Sequence, residues 1–261
     1  MTRRRWIAEN WDETSATLVG AQAEHLARVL RAQPGTTADV VAGGRLFRAE
    51  VASVSLAGEA SPGEASPREA SEVRFTLLAE LEADPALPVT LALAVYKFDR
   101  MEWAIEKATE LGVAAIAPML AQRTEKHLAQ AAAKRAERWR RIAKEAAQQA
   151  RRSDVPHVYD PVALTERVRA AATSASGALR LVLAEQERTT TLRHALEEAQ
   201  AAAGAQMPAI ELAIGPEGGW APSEEALFDA SGWRAVSLGP RILRAETAAI
   251  ATLAVVASYL E

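Results

Sequence analysis

The residues best suited to chemistry lie in one stretch near the C-terminal end, Ile210 to Thr247, where two glycine-proline loops fall close together. Gly215-Pro216-Glu217-Gly218-Gly219 follows the apolar run Ile210 to Ile214, and Leu238-Gly239-Pro240-Arg241-Ile242-Leu243 follows a second run, Ala235 to Leu238. Glycines in such turns let the backbone approach a ligand, prolines stiffen the loop, and a helix starting near Pro222 favours a negative group at its N-terminus. The apolar side chains and open backbone of the second loop suit a flat aromatic ring held by main-chain hydrogen bonds. Arg244, Glu246 and Thr247 then open the last helix. Arg244 and Glu246 could orient a substrate and handle its proton, or they could form a structural ion pair beside a helix cap. Taken alone, the first loop could equally be a tight structural turn.

Other chemistries lose support. The chain of 261 residues has no cysteine, which removes disulfides, cysteine zinc sites and every cysteine nucleophile. Its four histidines, His25, His127, His157 and His194, lack ligand spacing, so no metal is expected. There is no Gly-x-x-x-x-Gly-Lys phosphate loop, no Gly-x-Gly-x-x-Gly dinucleotide pattern and no Gly-x-Ser-x-Gly elbow. A net charge of −4 argues against a protein that coats nucleic acid, yet leaves room for a local basic face. With no long apolar span and no apolar signal core after Met1, the protein is expected in the cytoplasm and not in a membrane.

The elements that must position these loops alternate strand and helix from Pro88 onward. Strands are predicted over Val89 to Tyr96, Val113 to Leu120, Val155 to Tyr159, Leu179 to Ala184, Ala209 to Ile214 and Ala235 to Leu238. Helices are predicted over Arg100 to Leu111, Ala131 to Arg151, Val162 to Ala172, Thr191 to Ala203, Pro222 to Ala230 and Glu246 to Leu260. Such alternation predicts an α/β fold with a parallel sheet covered by helices on both faces, and ligands in open sheets of this kind collect at strand ends. Between Lys134 and Arg152 the long helix carries eight basic and two acidic residues, a one-signed run that suits RNA contact or a solvated face.

Ahead of this lies a small β-rich region. Thr17 to Val19, Ala38 to Ala42 and Leu46 to Val54 read as strands around a helical pattern, Ala23 to Arg31, with Gly43-Gly44 as a hairpin turn. Basic residues such as Arg28 and Arg31 are frequent here, compatible with either an RNA-contacting face or an ordinary surface. From Ala57 to Glu72 the Gly-Glu-Ala-Ser-Pro tract, present twice, has too little apolar surface to offset its ordering entropy and reads as a flexible loop. Val73 to Leu81 resumes an apolar pattern, and the domain boundary falls near Asp84-Pro85 or Leu87-Pro88, the first giving domains 1–84 and 85–261.

Three separated stretches resemble one family. Ile214 to Gly219 with Leu238 to Ala248 is similar to the C-terminal signature of the bacterial 16S ribosomal RNA uridine N3-methyltransferases, members of the SPOUT superfamily. Asp99 to Val113 resembles their second signature, and His25 to Arg31 with Pro34-Gly35 resembles their N-terminal PUA-like RNA-binding domain. Two runs depart from the pattern. Gln148-Gln149-Ala150-Arg151-Arg152 stands where the family usually has Glu-Gln-Ser/Cys-Gly-Arg, and Ala121-Gln122-Arg123 stands where it has Ser-Glu-Arg.

The resemblance implies a SPOUT-type parallel sheet with a C-terminal trefoil knot, a rare exception to the rule against knots, plus a small β-barrel-like PUA-like domain. It implies S-adenosyl-L-methionine as cofactor, a homodimer with the cofactor at its interface, and 16S rRNA of the small ribosomal subunit as partner. Cofactor contacts are expected from Leu183, Glu185, Gly215, Glu217, Gly218, Leu238, Gly239, Ile242, Leu243 and Thr247. Arg244 and Glu246 are the expected catalytic pair, and Arg28, Arg31, Arg100, Arg123 and Arg152 the expected RNA contacts. A ribose 2′-O-methyltransferase and a non-catalytic RNA-binding or ribosome-assembly protein are the alternative functions.

Overall fold

In the computed structural model the chain forms two compact units, Met1–Pro85 with Ala147–Asp154, and Ala86–Ala146 with Val155–Glu261. Residues 5–58, 70–173, 177–204 and 207–260 are described. Of the loop expected over 57–72, residues 59–69 lie outside these. The segment Ala147–Asp154, inside the second domain by sequence, groups with the first unit.

The first unit is built on β1 (Arg5–Ile7), β2 (Asn10–Trp11), β3 (Ser15–Val19), β4 (Thr37–Ala42), β5 (Arg45–Ser55) and β6 (Glu72–Leu81), in the order β1-β4-β5-β6-β3-β2. All pairs are antiparallel except β1 with β4. Gly43 and Gly44, both at positive φ, turn β4 into β5, as their position between alternating runs predicts. β1 and β2 are too short to show a period, and sequence patterning missed both. They are consecutive pieces of one stretch: Ala8 donates its N–H to Val41 at 2.9 Å and Glu9 to Thr17 at 3.0 Å. That stretch therefore passes from the β4 edge to the β3 edge, and the sheet curls around Trp6, Leu18, Leu26, Val40 and Phe75. The helical pattern expected over Ala23 to Arg31 is a short helix α1 (Ala21–Glu24) continuing as a wider π turn over His25–Val29.

Ala147–Asp154 carries the end of a long helix, and Ala147 packs with Ile7, Val41 and Leu46. Here Arg151 holds a positive φ of 56°. Arg152 N–H bonds to the Ala147 carbonyl at 2.9 Å and Arg151 N–H to that of Gln148 at 3.3 Å. This pair of bonds is the Schellman ending of a helix, whose left-handed residue is ordinarily glycine.

The second unit holds a parallel sheet of β7 (Leu87–Ala94), β8 (Val113–Leu120), β9 (His157–Val158), β10 (Val162–Ala163), β11 (Leu179–Leu183), β12 (Ile210–Ile214) and β13 (Arg234–Val236). Their order is β10-β8-β7-β12-β11-β13, with β9 also paired to β8. The helices are α2 (Phe98–Glu110), α3 (Lys126–Gln149), α4 (Leu164–Thr173), α5 (Leu192–Ala203), α6 (Pro222–Ala230) and α7 (Ala245–Leu260). Strand periodicity divides the core in two. Val89, Leu91 and Leu93 of β7 and Ile210, Leu212 and Ile214 of β12 face a layer with α2, α3, α5 and α7. Ala92, Ala94 and Ala213 face the opposite layer, with α4, α6, Trp220 and Trp233. Burial on both faces is why these strands read as continuous apolar runs. β12 lies between β7 and β11, and Ile214 stands level with Leu93 while Leu183 stands level with Val236. The loops after β11, β12 and β13 thus leave the sheet side by side.

Candidate active site

Those three loops enclose a cleft of about 330 Å³. Leu183, Glu185, Gly215, Glu217, Gly218, Leu238, Gly239, Ile242, Leu243 and Arg244 line it, together with Arg100 of α2 and Arg123 after β8. Thr247, expected at the cofactor, is exposed and outside the lining, and Glu246 is buried beside it at 6% exposure. Ile242, at 72% exposure, is the most exposed large apolar side chain among the described residues.

The first loop is held from below by a residue that sequence reasoning missed. Trp220 donates its indole N–H to the Leu183 carbonyl at 2.8 Å, which joins the loop after β12 to the end of β11. A Cβ on Gly215 would stand 3.2 Å from the Trp220 ring, tighter than an ordinary contact, so glycine lets the ring lie this close without a shift. Its position directly after Gly218-Gly219 is the one sequence signal that could have singled it out.

Two arginines expected to meet RNA reach the loops. Arg123 donates to the Gly218 carbonyl at 2.5 Å, and its side chain lies against Gly218 and Gly219. Arg100 donates to Glu217 at 2.6 Å, and its Nε stands 3.8 Å from Glu246. Lys97 adds a second cation 3.7 Å from Glu217. The positive end of α6, expected to favour a bound anion, is taken by the chain's own buried Glu224. One carboxylate oxygen accepts from Ala221 N–H at 2.8 Å and the other from Gln122 N–H at 2.7 Å.

Glu187 shapes the loop after β11, accepting from Thr189 and Thr190 backbone N–H groups at 2.6 and 2.8 Å. Those bonds, with that of the Thr189 hydroxyl, hold its carboxyl down at about 2. Under the site, Tyr96 is 3% exposed and its hydroxyl has no hydrogen-bond partner. Burial, then the charges of Glu246 and Glu217, push the phenol well above its ordinary value, so it keeps its proton.

Arg28, Arg31 and Arg152 lie in the first unit. Arg28 and Arg31 are exposed, with Arg28 3.2 Å from Glu24. Arg152 is 8% exposed and grips Asp154 with two nitrogens, at 2.6 and 3.1 Å, which ties it into the turn after α3. Much of the basic run on α3 is likewise paired. Arg135 and Arg138 reach Glu102, and Arg140 reaches Glu137 and Asp160. Among the described residues, no group of carboxylates and histidines could hold a metal, and no helix is long and apolar enough to cross a membrane.

Residues 83–257 match the RNA methyltransferase domain family. A ribosomal RNA small subunit methyltransferase E of Synechocystis sp. is 36% identical over 95% of this chain and 75% of its own length. The protein of that name from Mycobacterium bovis is 35% identical over 98% of this chain and 92% of its length. The crystal structure of the Neisseria gonorrhoeae ribosomal RNA small subunit methyltransferase E bound to S-adenosyl methionine superposes with a TM-score of 0.77, at 28% identity, over 98% of this chain and 97% of that one. A Legionella pneumophila putative methyltransferase in complex with the same cofactor gives 0.75 at 29% identity, over 98% and 97%. With two-loop geometry, domain match and near full-length relatives in agreement, the chain belongs to the ribosomal RNA small subunit methyltransferase E family.

Proposed function

We propose that this protein is an S-adenosylmethionine-dependent methyltransferase that methylates N3 of a uridine in 16S rRNA of the small ribosomal subunit, acting as a cytoplasmic homodimer. The observation that carries the proposal is the cleft itself. Leu183, Ile214, Val236, Leu238, Ile242 and Leu243 give it apolar walls suited to an adenine ring, and Gly215, Gly218 and Gly239 bring backbone to its surface. Its volume of about 330 Å³ falls within the range of small-molecule pockets.

The cofactor supplies a sulfonium methyl group already activated for transfer. What the chain must do is align the acceptor nitrogen, exclude water and receive a proton. N3 lies on the Watson-Crick edge, so the base enters unpaired. Arg244, exposed and lining the cleft, is proposed to orient the base, and Glu246, buried at the start of α7 and outside the lining, is proposed to take the N3 proton. Leu183, Glu185, Gly215, Glu217, Gly218, Leu238, Gly239, Ile242 and Leu243, which line the cleft, are the proposed cofactor contacts.

The arrangement of β12 between β7 and β11, with α7 packed on both β7 and β12, supports a C-terminal trefoil knot. The curled sheet of the first unit supports a PUA-like barrel, within domains 1–84 and 85–261, that presents Arg28 and Arg31 to RNA. Incubating the protein with unmodified small ribosomal subunits and labelled S-adenosylmethionine tests the proposal, with nucleosides identified by mass spectrometry. The expected product is 3-methyluridine. A 2′-O-methylated nucleoside would move the target to the ribose, and absence of both transfer and cofactor binding would make the protein a non-catalytic RNA binder.

A further inference from the structure

Arg188 on the loop after β11, and Arg241 and Arg244 on the loop after β13, line the cleft and are exposed. Their side chains make no hydrogen bond or ion pair among the described residues. By contrast, Arg138, Arg140 and Arg193 on the helices of the same unit hold Glu102, Asp160 and Glu197. The two loops that carry the free arginines are strapped together. Ser237 N–H donates to the Thr190 carbonyl at 2.9 Å, and Leu192 N–H donates to the Ser237 carbonyl at 2.9 Å. Glu187 closes the turn around Arg188 through the Thr189 and Thr190 N–H groups, and Pro240 stiffens the chain just ahead of Arg241. Arg188 and Arg241 are therefore carried on constrained backbone at one mouth of the cleft.

Charge decides what they meet. S-adenosylmethionine brings a sulfonium and an ammonium against a single carboxylate, so it is itself a cation. Five arginines and three glutamates line the cleft, an excess of the same sign as the cofactor. Arg100 is occupied by Glu217 and Arg123 by the Gly218 carbonyl, which leaves the three free arginines. At most one of these could meet the cofactor carboxylate, so the surplus complements a polyanion. We propose that Arg188 and Arg241 form a phosphate-binding rim that grips the RNA backbone on either side of the target nucleotide, with Arg244 left to the base. The proposal deepens the function above and rests on RNA being the substrate. A base drawn into the cleft leaves its flanking phosphates at the mouth, where the two guanidinium groups stand. Their planar forks match phosphate oxygens, and no carboxylate of the chain has to be displaced first.

The test measures binding of unmodified small ribosomal subunits by fluorescence anisotropy at several monovalent salt concentrations, and S-adenosylmethionine affinity by calorimetry. The proteins are the wild type, Arg188→Gln, Arg241→Gln, the double variant, Arg188→Lys and, as a control for lost charge, Arg193→Gln on α5. Each single glutamine variant is expected to weaken subunit binding about fivefold and to lower the slope of log affinity against log salt by about one, with both effects roughly compounding in the double variant. Arg188→Lys is expected to keep the slope, because a point charge still displaces a counterion, and Arg193→Gln to bind as the wild type does. Cofactor affinity is expected to stay within about twofold throughout, since phosphate contacts lie outside the cofactor's own. An unchanged salt slope in the double variant would overturn the rim. So would a loss of cofactor affinity as large as the loss for subunits, which would assign these arginines to the cofactor carboxylate. A wild-type protein that binds subunits with the expected arginine dependence yet transfers no methyl group would sink the function and leave the rim standing.

Discussion

Trp220 and the Leu183 carbonyl, joined at 2.8 Å, connect the first loop to the neighbouring strand end, and the cleft depends on that connection. Trp220 also stacks edge-on against Phe228 with ring centres 4.9 Å apart. Trp220→Phe keeps the ring and loses the bond, leaving a carbonyl without its donor. Cofactor affinity is expected to fall about fivefold, near 1 kcal/mol, with the fold intact. Trp220→Ala removes the ring as well and is expected to cost about 3 kcal/mol of stability. Calorimetric titration and denaturant melts distinguish the two.

Gly215→Ala tests the close approach from the other side. The added methyl would stand 3.2 to 3.4 Å from three atoms of the Trp220 ring, a rigid neighbour locked by its own hydrogen bond. The loop must shift, and S-adenosylmethionine affinity is expected to drop about tenfold, since preformed sites tolerate small displacements poorly. Wild-type affinity in Gly215→Ala would show that the cleft adapts.

Arg151→Gly is expected to stabilise the protein. Arg151 holds φ 56° at the end of α3, where a side chain costs about 1 to 2 kcal/mol, partly offset by the greater freedom of glycine in the unfolded chain. The bond that its carbonyl accepts from Arg5 belongs to the backbone and survives the change. A gain of about 0.5 kcal/mol in urea unfolding, with an unchanged denaturant slope, is the expected result.

The pair Arg167 and Glu211 predicts a pH dependence. Glu211 of β12 faces the α4 side, almost buried, with Arg167 bonded to it and Arg180 level with it on β11. Burial raises its carboxyl above the ordinary value more than the two arginines lower it. A raised folded-state value favours the protonated form, so this stabilising contribution is present below the unfolded value and lost as pH rises through the folded one. Arg167→Met removes the larger compensating charge and raises the value further. Thermal melts are expected to show a loss of about 3 kcal/mol at neutral pH that shrinks as pH falls and is gone below the wild-type folded value, itself above the ordinary carboxylate range. Arg167→Met/Glu211→Leu is expected to recover most of the loss, as apolar replacements of buried pairs do. A loss equal at all pH values would mean that packing alone is at stake.

The order of strands and helices was legible where the pattern was strong. Long runs such as Val113–Leu120 and Ile210–Ile214 matched closely, because strands buried on both faces carry an unbroken apolar signal. Short elements were not legible. Arg5–Ile7 and Asn10–Trp11 hold too few residues for a period, and their partners across the sheet, Asp39 to Val41 and Ala16 to Thr17, define them. The strand expected over Val155 to Tyr159 shrank to His157–Val158, since only Ala115 and Ile116 stand opposite to pair with it.

Two glycine-proline loops at strand ends, and an arginine and a glutamate opening the last helix, follow from residue types in order, because turns and helix starts are local properties of the chain. Which cations face which carboxylates is not local. Arg100 and Glu246 are far apart in sequence, and Arg123 meets Gly218 only because β8 and β12 flank β7. The basic residues read from sequence only by their charge, and packing supplies their partners within the chain, the loops for Arg100 and Arg123 and Asp154 for Arg152. Charge type is written in the sequence. Charge pairing depends on through-space distances of a few ångströms, and those are set only when the sheet assembles.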